Sequence, residues 1–227
     1  MKKTIWNLLR ARISAPPVHT FAVKPRAQLD PIDGRLELAS LPPGREATIP
    51  KKVYVDPFWA IWELQCANAS RRYMCVSRGS VNDHFVVLVS TNAFYRLWLE
   101  TTLRGNGRNA PCPLREHMPR DYKFSEAELG FSHGIDNPVP LAEVSGYHDA
   151  SGINVAFING VTRSLWLIAN EVASFPVKCY SQEEANLIHV VAGCAEAPIM
   201  LKEIFAGVDI PQPEQQRIPK PVYKWSE

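Results

Sequence analysis

No Cys-x-x-Cys pair occurs in this 227-residue chain, and its five cysteines (Cys66, Cys75, Cys112, Cys179, Cys194) are odd in number and irregularly spaced. The six histidines make no metal-spaced pair with them. That argues against zinc and against a disulfide framework, and reduced thiols point to the cytoplasm. A Walker lysine motif is also missing, which excludes nucleotide hydrolysis of the P-loop type. Gly105-x-Gly107-x-x-Ala110 superficially fits a dinucleotide fingerprint, but it follows a helical segment and opens none. No stretch approaches membrane-spanning length, and Arg10 and Arg12 interrupt the apolar run after Leu9 far short of a signal-peptide core. No membrane insertion is expected, and no internal repeat is visible.

Acidic side chains are absent from residues 1–26, which hold six basic ones (Lys2, Lys3, Arg10, Arg12, Lys24, Arg26). The remainder carries 19 basic and 23 acidic side chains, so a cationic arm precedes a mildly acidic body although the whole chain is only +2. Such an arm suits nucleic acid or an acidic partner surface, and equally a solvated tail. Hydrophobic content of 46% and a mean hydropathy of −0.16 describe an ordinary globular chain.

Composition divides the chain into a basic, Pro-rich arm (1–48), a β-rich aromatic extension packed on the core (49–115), a main α/β domain (116–207) and a Pro-rich tail (208–227). Within the arm, Ile5–Ile13 suits a short basic helix, and Asp33-Gly34 before Arg35–Leu38 reads as a turn feeding a strand. Lys52–Val55, Tyr73–Val76 and Phe85–Val89 read as strands. Ser90 or Thr91 caps a helix whose buried stripe includes Phe94, Leu97 and Trp98. Phe58, Trp59, Ile61, Trp62 and Leu64 crowd one segment, as core residues or as a stacking platform for bases. Arg104, Arg108 and Arg115 lie in a Gly/Pro-rich loop able to contact phosphates.

Farther along, Ser125 is placed to cap a helical turn before Gly130, and Leu141–Val144 suits a short helix or strand. Gly146–Gly152, with Tyr147, His148 and Asp149, reads as a loop into the central strand. Ser181-x-x-Glu184 is a capping box for a helix reaching Gly193, and Pro198 opens another that Gly207 closes.

The organising stretch is 155–176. Ile153, Val155, Phe157 and Ile158 suit a strand buried on both faces. Asn159-Gly160 is a turn dipeptide, and Leu165, Trp166, Ile168, Ala169 and Val172 then fall at helical spacing. Strand, tight turn and helix in this order leave unpaired amides at the helix start, where a phosphate suits them and the Arg163 guanidinium. A structural turn whose arginine pairs with a nearby carboxylate fits the same spacing.

Phe157-Ile158-Asn159-Gly160-Val161-Thr162-Arg163-Ser164-Leu165, followed after one helix by Phe175-Pro176-Val177, resembles the Gly-x-x-Arg box of the ParB/sulfiredoxin superfamily. Asn137-Pro138-Val139-Pro140-Leu141-Ala142-Glu143-Val144 is similar to the first segment of such domains. Together with the aromatic-rich region before them, both segments resemble plasmid fertility-inhibition factors of the oncogenic-suppression type. The match covers roughly 136–191.

The resemblance implies a mixed α/β (α+β) fold with a ParB/sulfiredoxin-like unit in the second half, and a plasmid-encoded factor that blocks conjugative transfer of another plasmid. It also implies DNA cleavage and nucleotide hydrolysis, with DNA and a nucleoside triphosphate as partners, ATP as a candidate substrate and Mg²⁺ or a similar divalent metal. In that reading Asn159, Gly160, Thr162 and Arg163 hold phosphate, while Glu143 or Asp149 positions metal or water beside Arg163. Asp136 is a further acidic candidate, and His148 is placed to shuttle a proton.

Two departures matter. Val161 and Thr162 stand where a sulfiredoxin has its cysteine, and the cysteine nearest in sequence, Cys179, falls in the following strand, so sulfinic-acid reduction is not expected. About sixty residues follow Arg163, too few for a partition protein's DNA-reading region. The competing reading is a non-catalytic inhibitor that binds a component of the mating machinery, such as a coupling ATPase, through the arm and the aromatic face.

Overall fold

The computed structural model describes residues 29–42, 47–79, 83–106 and 110–208. Residues 1–28 and 43–46 of the expected arm, with its short helix, the Pro-rich tail after 208 and Arg108 of the Gly/Pro/Arg loop lie outside the described residues.

Asp30 opens helix α1 (Pro31–Ser40): its Oδ1 accepts from the amides of Ile32 and Asp33 at 2.7 and 3.4 Å, and Pro31 takes the first helical position. The turn and strand expected at Asp33–Leu38 are therefore replaced by a helix. A cap and a preset proline outweigh the Asp-Gly signal, and Gly34 is buried inside the helix.

Strands β1 (Lys51–Val55), β2 (Trp59–Gln65) and β3 (Arg71–Ser77) form an antiparallel meander. β4 (Phe85–Ser90), buried at every position, leaves it for a second sheet and leads directly into α2 (Thr91–Leu103). α3 (Phe124–Ser132) follows, beginning after Lys123 without a side-chain cap, so Ser125 lies inside it. β5 (Val139–Pro140) then adds to β3 in parallel, completing a first sheet of order β1-β2-β3-β5.

β6 (Ala142–Asp149) and β7 (Gly152–Asn159) make a hairpin, α4 (Val161–Ala169) crosses over, and β8 (Ser174–Cys179) returns parallel to β6. α5 (Gln182–Ala192), β9 (Ile199–Met200) and the single turn α6 (Leu201–Ile204) follow. The second sheet has the order β7-β6-β8-β4-β9. The mixed α/β class expected from the sequence is the class observed. Because β4 pairs with β8 from Phe85↔Cys179 to Ser90↔Ser174, residues on both sides of position 115 share one sheet and one core.

Three local readings change. Ile153–Ile158 is not a central strand. β7 is an edge, with Ala156 and Ile158 exposed, and α2 covers its rim as Thr101 Oγ1 accepts the Val155 amide at 3.1 Å. Gly146–Asp149 belongs to β6 instead of a loop. A Cβ on Gly146 would sit 2.6 Å from the Glu184 carbonyl oxygen, so glycine here lets α5 pack against the strand. The last helix begins at Leu201, because Ile199 and Met200 first pair with Val86 and Phe85.

Ser181 does cap α5, its Oγ accepting the Glu184 amide at 3.2 Å. Glu184 reaches back to the Tyr180 amide at 2.9 Å and accepts from Ser145 Oγ at 2.8 Å, tying α5 to β6. The aromatic segment divides its duties: Trp62 and Leu64 join the main core, while Trp59 at the start of the same strand is 45% exposed.

Candidate functional site

β7 ends at Asn159, and Gly160 turns the chain into α4 with φ 87° and ψ 20°. Two constraints meet at this residue. The left-handed backbone disfavours a side chain, and a Cβ would lie 2.8 Å from the Ala142 Cα. The turn is thereby pressed against the start of β6, and the first amides of α4 follow it.

Arg163 closes the turn from one helical turn further on. Its Nη1 donates to the carbonyls of Pro140 at 2.5 Å and Leu141 at 3.0 Å, fastening α4 to the β5–β6 junction. Burial pushes the guanidinium pKa down, and the neighbouring charge of Glu143 pushes it back up. Thr162 Oγ1 donates to Asp121 Oδ1 at 3.0 Å. Thr162 and Arg163 nevertheless line a cavity of about 280 Å³, together with Lys123, Glu126, Asn137 and Pro140. Two cations and the start of a helix on one cavity are suited to an anionic group.

Glu143 stands on β6 opposite Asn159 on one side and Lys178 on the other. Its Oε1 lies 2.6 Å from Lys178 Nζ, and its Oε2 accepts the Tyr180 hydroxyl at 2.9 Å. Burial raises this carboxyl's pKa. The hydrogen bonds from Lys178 and Tyr180, with the charges of Lys178 and Arg163, outweigh that and hold it below the usual range. His84 packs on Tyr180 with ring centroids 4.4 Å apart. Burial, and then the Lys178 charge, lower the His84 pKa.

Asn159, Gly160, Thr162, Arg163 and Glu143 are thus gathered at one end of the hairpin. Asp149 lies at the other. Its Oδ1 accepts from the Ser151 amide and hydroxyl at 2.8 and 2.6 Å, and its Oδ2 accepts from Asn106 at 2.8 Å. Those bonds, Ser151's first, lower its pKa and make it the clamp of the β6–β7 turn. Six residues of strand put roughly 20 Å between Glu143 and Asp149, so one Mg²⁺ cannot take both as ligands. Glu143 also has both oxygens engaged, and the described residues contain no group of three or more His, Cys, Asp or Glu placed to hold a metal. Glu143 and Asp149 therefore remain separate alternatives, as the sequence left them, and do not join in one ligand set. His148 is exposed beside Asp149, and Asp136 is exposed in a 3-10 turn (Gly134–Asp136).

The sequence did not point to Lys178, Tyr180, His84 or Cys75 as members of this neighbourhood. Strand pairing alone brings β8 beside β6 and β3 beside β5. Cys75 donates from Sγ to the Pro138 carbonyl at 3.4 Å and lies within electrostatic reach of Arg163. Burial pushes this thiol up to about 11 despite the arginine. The loop arginines are turned to structural use: Arg104 pairs with Glu100 at 2.8 Å, and Arg115 with Glu171 at 3.4 Å.

Residues 86–193, from β4 through the end of α5, match the family described as Plasmid Fertility inhibition factor. The chain is 38% identical over 144 residues to Protein osa of Shigella flexneri, an alignment spanning 63% of this chain and 74% of that protein. Its fold is similar to the crystal structure of Oncogenic Suppression Activity Protein, a plasmid fertility inhibition factor studied as a gold(I) cyanide derivative. That likeness has a TM-score of 0.67 at 31% identity and covers 76% of this chain and 93% of the other. With this extent of sequence and structural agreement, the chain belongs to the plasmid fertility inhibition factor family.

Proposed function

We propose that the protein suppresses conjugative transfer of another plasmid from inside the cytoplasm, by acting on a phosphate-bearing substrate at the turn between β7 and α4. The substrate is DNA or a nucleoside triphosphate, ATP first among the candidates, and the reaction is phosphodiester or phosphoanhydride cleavage. The observation that carries this reading is the shared cavity: Arg163 and Lys123 border it where Gly160 delivers the chain into α4. Phosphoryl transfer concentrates negative charge, and fixed cations with helix-terminal amides stabilise it. A ParB/sulfiredoxin-like character of the unit accords with the strand, glycine turn and helix in succession. In this reading Arg163 and Lys123 bind and orient the phosphate, and Glu143 fixes the position of Lys178 beside them.

The test incubates purified protein with supercoiled DNA and Mg²⁺, with and without ATP, alongside Lys123→Ala and Arg163→Lys variants. Nicked product and released phosphate from the wild type, both strongly reduced in the variants, support the proposal. Equal product from all three proteins, or none from any, defeats it.

A second reading draws on a different observation. Arg163 already holds two carbonyls, and Glu143 already holds Lys178 and Tyr180. Groups so engaged are also what a rigid, non-catalytic scaffold needs, and such a scaffold would inhibit by binding a coupling ATPase. Transfer inhibition that persists in donor cells carrying Lys123→Ala or Glu143→Gln favours this alternative.

A further inference from the structure

Away from the Gly160 turn, a cavity of about 540 Å³ opens where four parts of the chain meet. They are the end of α1, the start of α2, a 3-10 helix (Arg115–Arg120) and the turn from α4 into β8. Its volume lies in the range of small-molecule sites. Glu37, Thr91, Asn92, Arg115 and Glu171 bring polar groups to it, and Leu41 and Val172 give it apolar wall. None of these residues borders the cavity of Lys123 and Arg163.

The charged and amide groups are each fixed by one bond and left with another to make. Tyr95 donates its hydroxyl to Glu37 Oε1 at 3.0 Å, which leaves Oε2 without a partner among the described residues. The Arg115 guanidinium stands 5.4 Å from the Tyr95 ring centre. Its Nη2 donates to Asn92 Oδ1 at 3.0 Å, and its Nη1 reaches Glu171 Oε1 at 3.4 Å. Asn92 Nδ2 and Glu171 Oε2 are thereby oriented but unpaired. Thr91 is only 3% exposed, and its Oγ1 has no hydrogen-bond partner. A buried hydroxyl in that state costs stability, so a missing acceptor is indicated beside it. α2 begins there with no side-chain cap and no acidic residue in its first turn, leaving the positive end of its dipole unanswered. Glu171 holds its carboxylate at the cavity from φ 50°, a backbone region that favours glycine.

Both signs of charge line this cavity, and together they select the occupant. A ligand that is only an anion meets two carboxylates, Glu37 and Glu171. One that is only a cation meets Arg115 and the positive end of α2. A zwitterion answers both. We propose that the cavity binds a free α-amino acid. Its carboxylate accepts from Thr91 Oγ1 and Asn92 Nδ2 at the start of α2, beside Arg115, and its ammonium donates to the second oxygens of Glu37 and Glu171. Its side chain rests on Leu41 and Val172. This does not depend on chemistry at the Gly160–Arg163 turn.

The experiment melts the full-length protein with each of the common protein amino acids in millimolar excess, and titrates by calorimetry those that raise Tm. A subset should raise it. The N-acetylated and carboxamide forms of the same amino acids, which lack the ammonium and the carboxylate, should not. Thr91→Val and Asn92→Ala should each weaken binding on the order of 10-fold, and Thr91→Ser should retain it. Without ligand, Thr91→Val should melt no lower than wild type, because the hydroxyl it removes makes no hydrogen bond in the protein alone. A clear drop in Tm there would give that hydroxyl a structural partner and overturn the proposal. Lys123→Ala should bind the amino acid like wild type, which separates this cavity from the proposed catalytic one. The proposal is also overturned if no amino acid shifts the melt, if the capped forms bind as tightly as their parents, or if Thr91→Val and Asn92→Ala both bind like wild type. Stabilisation by putrescine or glucose alone would assign the cavity to a cationic or neutral ligand and equally defeat it.

Discussion

Glu143 Oε1 lies 2.6 Å from Lys178 Nζ across the parallel pairing of β6 and β8, and the pair sits beside the glycine turn that opens α4. The folded carboxyl has a pKa below its unfolded value, so its stabilising effect is present above the unfolded pKa and lost as pH falls through the folded one. Glu143→Gln should cost about 1 kcal/mol at pH 7, roughly 3 °C in Tm. The difference from wild type should shrink steadily as the pH drops below about 4.3. Thermal melts across pH 3–7 check this, and a constant difference over that range would contradict it.

Arg163 is expected to be structurally irreplaceable by lysine. One nitrogen, Nη1, meets both the Pro140 and Leu141 carbonyls, and the lysine side chain, one bond shorter, does not bring its ammonium to that position. Arg163→Lys should lose about 1–2 kcal/mol in urea unfolding with an unchanged slope. This loss must be measured before any activity change in that variant is attributed to phosphate binding.

Gly160→Ala should be more costly. It adds a Cβ at φ 87° and places it 2.8 Å from the Ala142 backbone. A penalty of about 2–3 kcal/mol is expected from strain and displacement together. Val161→Ala, at the next residue and partly exposed, serves as the comparison and should cost less than half as much.

The cysteines should be nearly inert in the native state. All five are free and buried, and burial pushes Cys75 and Cys194 up to about 11 and Cys179 up to about 12. A thiol reagent at pH 8 should therefore react slowly with native protein and rapidly with five groups after denaturation. Fast reaction of one thiol in the native protein would reveal local opening.

Much of this fold could be read from local signals. Gly160 followed by helical spacing from Leu165 gave strand, turn and α4, and Ser181 with Glu184 gave the start of α5. What local signals cannot carry is which strand lies beside which. The six-residue gap between Glu143 and Asp149 left open whether they share a site, and only the extended strand shows them driven apart. Lys178 and Cys75 became neighbours of the turn only through sheet order. Ile153–Ile158 is apolar enough for a central strand, but α2 covers it from the side, and composition does not distinguish the two kinds of shelter. The Asp33-Gly34 signal lost to a cap three residues upstream.

β4 has a consequence for anyone dissecting this protein. It is contributed by the first half of the chain but seated between β8 and β9 of the second. A fragment begun after residue 115 would retain the glycine turn and its arginine while leaving β8 with a long naked margin of amides and carbonyls. Such margins recruit strands from other molecules, so the excised unit should precipitate or multimerise. Supplying the missing β4 segment in trans should then restore its solubility.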